Sequence, residues 1–309
     1  MPTRREFMQR SAVVGGALAG LGAVGASTAC ASGAPVQRAT SDGHVTRAPA
    51  AKSSAIKQSV CKWCFNEMTV DELAANAKRI GIKSVELVDP TDYADVTKHG
   101  LIVAMTNAPG DPRTRIPKGW NRTENHSWLI PLYQDYITKV SAAGFPNLIC
   151  FSGNRAGLGD DEGIENCAKG LREIMPAAEK ANVTICMELL NSKVNHPDYQ
   201  CDHTPWGAKL VQKVGSPRFK LLYDIYHMQI MEGDVIHTIR DNHQHIAHYH
   251  TAGVPGRHEI DESQELFYPA VMRAIADTGY TGYVAQEFVP VKKELGMASL
   301  EDAYRRCAV

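Results

Sequence analysis

Net charge is nearly absent from this chain: 33 lysines and arginines stand against 34 aspartates and glutamates, leaving −1. Without a basic excess there is no bulk electrostatic case for binding nucleic acid or an anionic membrane. Past the N-terminal stretch, no run reaches the roughly 18 consecutive apolar residues of a membrane span. No glycine-rich phosphate loop follows the first strand-like run, which argues against a doubly wound nucleotide-binding sheet. Only one C-x-x-C pair occurs, Cys61 and Cys64 in "SVCKWCF". It has no second pair and no nearby histidine, so zinc is not indicated and strand-end packing is the simpler reading. Seven of the eight cysteines follow Cys30, an odd number that cannot all pair. Cys150 and Cys186 lie inside apolar runs and read as small core residues.

What is present begins with an address. "TRREFMQRS" (Thr3 to Ser11) leads into the Gly/Ala-rich "AVVGGALAGLGAVGASTAC" (Ala12 to Cys30). A basic start, an apolar stretch and small residues after it make a signal peptide over 1–31. Arg4 and Arg5 followed by Phe7 resemble the twin-arginine export signal, which implies the export machinery as a partner and a periplasmic location. "STAC" at Cys30 resembles a lipoprotein box, with Ser27 where an aliphatic residue is expected. Residues 32–55 are rich in Ser, Ala, Thr and Pro and read as a linker. The folded domain is expected over 56–309.

From Ile56 onward, strand-like runs alternate with helical patterns. The runs are "IKQSVCKWCF", "SVELVD", "LIVAMTN", "NLICFSG", "VTICMELL", "FKLLYDIYH", "IAHYHTAG" and "GYVAQEF". Helical stretches include "TVDELAANAKRI", with a Thr69/Glu72 capping box, and "YPAVMRAIADTG", with Gly279 as its stop. Eight strand–helix units in about 250 residues fit an α/β fold, the (βα)8 TIM barrel. Helix-to-strand links such as "GIKS" and "GFPN" are short. Three strand-to-helix links are long: Ala108 to Asn125, Asn191 to Asp202 and Val254 to Glu265. In such barrels the long links build the site at the C-terminal ends of the strands.

Four runs carry a metal-ligand type at or near that end: Glu188, Asp224, His250 and Glu287. Side chains alternate along a strand. Glu188 then shares a face with Cys186, Asp224 with Leu222, His250 with His248, and Glu287 with Ala285. If those faces point inward, the four groups converge at the barrel mouth. Three carboxylates so close would repel unless a cation lies between them. Two Glu, one Asp and one His suit Mn²⁺, Mg²⁺ or Co²⁺ better than a thiolate zinc site. His227, three residues past Asp224, reads either as a substrate contact or as a loop or helix-capping histidine. His248 lies one layer deeper and reads as a hydrogen-bonded core residue. His243 and His245 are assigned to a solvated helix end. Arg257, in "TAGVPGRHEID", suits recognition of a carboxylate or polar oxygens, with surface charge as the plain alternative.

The stretches "YDIYHMQIMEG", "AGVPGRHE" and "GYVAQEF" resemble the hydroxypyruvate isomerase family, within the wider xylose-isomerase-like barrels. The resemblance runs from about Ile56 to Glu287. It implies a divalent metal held by Glu188, Asp224, His250 and Glu287, with Glu188 and Glu287 also acting as acid and base. It implies substrate contact by His227 and Arg257. At the place of His250 the bacterial cytoplasmic enzymes often carry glutamine, whereas ketose epimerases carry histidine. The related apurinic-site endonucleases carry an Asp-x-His motif, which is "GRH" here, with Gly256 in the Asp place.

The activity expected is movement of a proton between adjacent carbons of an α-hydroxycarbonyl compound through an enediolate. Hydroxypyruvate would give tartronate semialdehyde. A ketose 3-epimerase is the alternative substrate reading, an exported sugar- or hydroxyacid-binding protein the alternative class, and a homo-oligomer is compatible with either. The leader yields a test of its own. Replacing Arg4 and Arg5 together by Lys is expected to hold precursor in the cytoplasm; normal export in a fractionation assay would refute the twin-arginine reading.

Overall fold

Seven strands run parallel in one sheet in the computed structural model, which describes residues 56–111 and 115–309. They are β1 Lys57–Cys61, β2 Ser84–Glu86, β3 Asn147–Cys150, β4 Thr184–Glu188, β5 Phe219–Asp224, β6 Ile246–Thr251 and β7 Tyr283–Gln286. Their order is β2-β1-β7-β6-β5-β4-β3. The signal-peptide and linker readings fall on residues outside those described.

The expected third strand, "LIVAMTN", is a correction. It makes only isolated bridges, Ser84 to Ile102 and Val88 to Thr106 on one side and Thr106 to Leu148 on the other. The physical reason is local. The Ala104 N–H donates to Ser84 Oγ at 2.8 Å, and Asn147 Nδ2 donates to the Ala104 carbonyl at 2.8 Å. Both backbone groups a ladder would use at its middle are taken by side chains. The segment still joins β2 to β3: Leu87 N–H reaches the Met105 carbonyl at 2.8 Å, and Thr106 N–H reaches the Asn147 carbonyl at 3.0 Å. Eight ring positions therefore close a barrel, seven of them regular strands.

Strand sequences explain the burial. In β5, Phe219, Leu221 and Leu222 are fully buried, and β4 contributes Ile185, Cys186 and Met187. Such continuous apolar runs belong to parallel sheets covered by helices. The first covering helix, Val70–Ile80, carries the expected capping box: Thr69 Oγ1 accepts from Glu72 N–H, and Glu72 returns a bond to the Thr69 N–H. It ends at Gly81, whose φ of 106° is the left-handed conformation that suits glycine. The helix Tyr268–Asp277 starts with a proline in its first turn and is followed by Gly279 at φ 80°. At the bottom of the chain, Gln58 Nε2 donates to the Tyr304 carbonyl at 2.9 Å, tying β1 to the last helix, Gly296–Arg306. Short helix-to-strand links leave the long links together at the opposite rim, beyond the strand C-termini.

Candidate metal centre and active site

Four consecutive strands deliver four polar side chains to one point. β4 ends on Glu188, β5 ends on Asp224, His250 is the penultimate residue of β6, and Glu287 follows β7 directly. The register sets Asp224 beside His250 and His250 beside Ala285, two residues before Glu287. Glu287 N–H continues the ladder onto the Thr251 carbonyl at 2.9 Å. One donor atom from each of the four lies within 4.8 Å of the others. None of the four residues is more than 5% exposed. The parity read from the sequence is thus reproduced in space.

Beneath them is a residue outside the sequence-derived set. Glu86, the last residue of β2, is fully buried, and its Oε1 lies 2.9 Å from His250 Nε2 and 2.8 Å from His248 Nε2. Burial alone would raise the Glu86 carboxyl, but the two imidazoles outweigh it and bring it down to about 2. An anionic Glu86 accepts the Nε2–H of His250, which turns Nδ1 toward the other carboxylates. That Nδ1 lies 2.5 Å from Glu287 Oε2 and 3.5 Å from Glu188 Oε1, yet it lacks a partner in hydrogen-bond geometry. A carboxylate behind a histidine that faces a cluster of carboxylates is the arrangement that orients metal-ligating imidazoles. The same signal that marks Glu188, a carboxylate closing an apolar run, also marks Glu86 in "SVELVD". His248 is the hydrogen-bonded core residue the sequence suggests.

Arg257 supplies the positive charge nearest the cluster. Its Nη2 lies 2.7 Å from Asp224 Oδ2 and also contacts Glu287 Oε2, while Nη1 is 2.8 Å from His227 Nε2. The guanidinium stacks over Tyr226 at 4.9 Å and Trp63 at 5.5 Å, and its side chain is 11% exposed, so it is not surface charge. Arg257 adopts φ 61°. A left-handed backbone at a non-glycine residue costs of order 1–2 kcal/mol, which paired contacts of this kind offset. Val289 N–H on the Arg257 carbonyl at 2.7 Å holds that turn.

His227 lies in the first turn of the helix Ile225–Met231, and its N–H donates to Asp224 Oδ1 at 3.1 Å. Asp224 therefore caps a helix as well as facing the cluster. Asn191 N–H donates to His227 Nδ1 at 3.1 Å, and burial pushes this imidazole well below its usual pKa, so it is neutral. The two glutamates differ sharply. Burial raises Glu188 to about 7. It opposes ionisation of Glu287 too, but Arg257 and His250 outweigh it and bring Glu287 to about 2. Trp63 Nε1 donates to Glu287 Oε1 at 2.7 Å.

Above the cluster opens a cavity of about 400 Å³, with Glu188, Glu287, His227 and Arg257 on its wall. Trp63, Arg115, Asn195 and His196 also line it, and these the sequence did not single out. Arg115, Asn195 and His196 sit on long loops with no periodic signal. Of the histidines set aside earlier, His243 is exposed and His245 half-buried in a short 3-10 turn. His258 faces away, Nδ1 to the Val289 carbonyl at 2.9 Å. Three carboxylates and an imidazole with an unpartnered, cluster-facing nitrogen fit a divalent cation with oxygen-rich ligation.

Comparison with known proteins agrees with this geometry. The description "Xylose isomerase-like TIM barrel" is that of a family model matching residues 74–303. The chain belongs to this family. Over 241 residues it is 32% identical to a putative hydroxypyruvate isomerase of Mus musculus, covering 74% of this chain and 87% of that one. It is 35% identical over 242 residues to the 2-oxo-tetronate isomerase of Cupriavidus necator, covering 73% and 89%. A match to the human putative hydroxypyruvate isomerase is shorter, spanning 44% of that protein. These relatives make the chain an isomerase. Among solved structures, a family 2 AP endonuclease from Brucella melitensis superposes with a TM-score of 0.70 at 25% identity, covering 79% of this chain and 97% of that one. A D-psicose 3-epimerase from Clostridium cellulolyticum superposes with 0.66 at 16%, covering 82% and 100%, a likeness of fold.

The Glu86–His250 contact generates a prediction. Glu86→Gln replaces an anion that only accepts by an amide that also donates. With its hold on the His250 tautomer weakened, affinity for Mn²⁺ should fall roughly 10- to 100-fold, the range for such orienting partners. Calorimetric titration reads it directly; wild-type affinity in the variant would show that Glu86 does not orient His250.

Proposed function

We propose that this isomerase is metal-dependent and moves a proton between adjacent carbons of an α-hydroxycarbonyl acid, hydroxypyruvate or a close homologue, through an enediolate. The observation that carries the reading is the convergence of Glu188, Asp224, His250 and Glu287 at the floor of one cavity. These four would hold a divalent ion, Mn²⁺, Mg²⁺ or Co²⁺, which supplies Lewis-acid polarisation of a carbonyl and favours negative charge on its oxygen.

Glu188 and Glu287 come from nonadjacent strands and line the same cavity. Two carboxylates so placed can flank a planar intermediate and divide the proton traffic. For hydroxypyruvate, one carboxylate takes a proton from C3, giving the enediolate. The other delivers a proton to C2, and the hydroxyl proton passes from O3 to O2. The product is tartronate semialdehyde, with the same atoms and electrons as the substrate. His227, neutral and packed against Arg257, is placed to hydrogen-bond a substrate oxygen. The mouse and C. necator relatives, named for hydroxypyruvate and 2-oxo-tetronate, support an acid substrate. A ketose 3-epimerase uses the same proton transfer, and His250 with its epimerase-like ring nitrogen is the feature that favours it. The twin-arginine-like leader read in the sequence supports a location for this chemistry outside the cytoplasm, in a protein exported after folding.

Three outcomes check the reading. Asp224→Asn removes one negative charge and one of the two carboxylates paired with Arg257. Elemental analysis of the purified variant should find the metal lost; full occupancy would remove Asp224 from the ligand set. Glu287→Gln keeps the reach of the side chain and removes its basicity, so turnover should fall about 10²- to 10⁴-fold. Wild-type turnover in deuterated water should place deuterium at the receiving carbon, because a proton held on a carboxylate exchanges with solvent. Deuterium-free product with near-normal Glu287→Gln turnover would overturn the proton-transfer roles.

A further inference from the structure

We propose that Arg115 receives the carboxylate of the substrate, and that this makes the site selective for hydroxy-2-oxo acids over uncharged ketoses. The inference rests on the isomerase reading of the same site and adds its substrate determinant.

The wall of the cavity contains two permanently cationic side chains, Arg115 and Arg257. Arg257 is already committed. Its guanidinium lies against Asp224, Glu287 and His227 and is stacked on two aromatic rings. Arg115 is different. It is half-buried, and among the described residues its guanidinium makes one hydrogen bond, from Nη1 to the Ala108 carbonyl at 3.1 Å. A guanidinium carries five N–H donors in a fork that matches a carboxylate. Among the described residues, most of that fork is unused.

Ring topology says from which side Arg115 arrives. Counting from the bridged segment 101–106, three strands (β2, β1, β7) lead one way to β6 and three (β3, β4, β5) lead the other way. The segment thus faces β6 across the barrel. Arg115 belongs to the loop that follows this segment, whereas the four clustered groups come from β4 to β7. The cavity therefore has an anionic side built by those strands and a cationic side chain contributed by the loop that rises across from them.

Electrostatics then orients the substrate. An α-hydroxycarbonyl must lie at Glu188 and Glu287 to react. With its carbonyl and adjacent hydroxyl oxygens directed at the cluster, the substrate carries a carboxylate on that carbonyl carbon on the side away from the cluster. That carboxylate points toward the loop side, where Arg115 offers the complementary charge. The same position occupied by an uncharged hydroxymethyl group leaves the guanidinium without its ion-pair partner. Selectivity between acid and ketose follows from that difference.

The experiment uses the full-length, metal-loaded protein in three forms: wild type, Arg115→Met and Arg115→Lys. Hydroxypyruvate and dihydroxyacetone are the paired probes, the second being the first with its carboxylate replaced by an uncharged group. Both binding by calorimetry and turnover are measured. Arg115→Met is expected to weaken hydroxypyruvate about 10- to 100-fold in Kd and KM, as for a lost charge-assisted hydrogen bond. Its kcat should change less, dihydroxyacetone should be unaffected, and Arg115→Lys should recover part of the loss. Unaffected dihydroxyacetone also reports that the variant is folded. Wild-type hydroxypyruvate affinity in Arg115→Met would overturn the proposal. So would equal weakening of both probes, or no binding of hydroxypyruvate by the wild type. Binding without turnover that is lost in Arg115→Met would uphold the carboxylate site and remove the isomerisation instead.

Discussion

Three buried carboxylates brought within a few ångströms of one another are the constraint on which the site depends. Two unit charges about 4 Å apart repel by roughly 4 kcal/mol at an effective dielectric of 20. The barrel brings Glu188, Asp224 and Glu287 together all the same, so positive charge has to be built in around them. Arg257 sits against two of the three. His250 lies against two of them; burial opposes its charge, but the Glu287 carboxylate outweighs it and raises its pKa well above the usual imidazole range. A divalent ion would supply the remaining charge and replace that proton, which is why metal binding and protonation are linked at such sites.

The same constraint organises the layer below. Glu86 brings a fourth buried carboxylate into the barrel, which would add to the repulsion if it stood alone. It is paired instead with the Nε2 atoms of His248 and His250. His250 is the hinge between the two layers, one ring nitrogen facing each. A single imidazole transmits the charge of Glu86 upward as orientation. The cavity wall also carries the apolar Ile149, Phe151 and Leu190 beside the polar groups. Low polarity there strengthens each charge-assisted contact a substrate makes.

How much of this could be read from the chain depends on the kind of signal. The strand-end carboxylates and His250 were legible because parallel strands alternate with a period of two, so parity predicts which side chains share the interior. The capping box at Thr69 and Glu72 was legible because its partners are three residues apart. The third strand was not. Its apolar run satisfies a strand pattern, and what interrupts it is a pair of side-chain bonds from Ser84 and Asn147, 20 and 43 residues away in sequence. Glu86 was present in the pattern but stood by itself on a strand far from the others in sequence.

By itself the sequence determined the alternation of elements, the barrel class and the identity of the four groups at its mouth, because these follow from local periodicity and from residue type. Only the tertiary structure decided the pairings: that Glu86 lies behind His250, that Arg257 turns inward onto Asp224 and Glu287, and that Arg115 shares a cavity with residues more than 70 positions away. Arg257 shows the reason most plainly. In sequence it is one cation in a polar loop, and nothing within several residues distinguishes inward from outward. Its direction is set by a left-handed backbone turn and by carboxylates from two other segments, which are neighbours only once the barrel has closed.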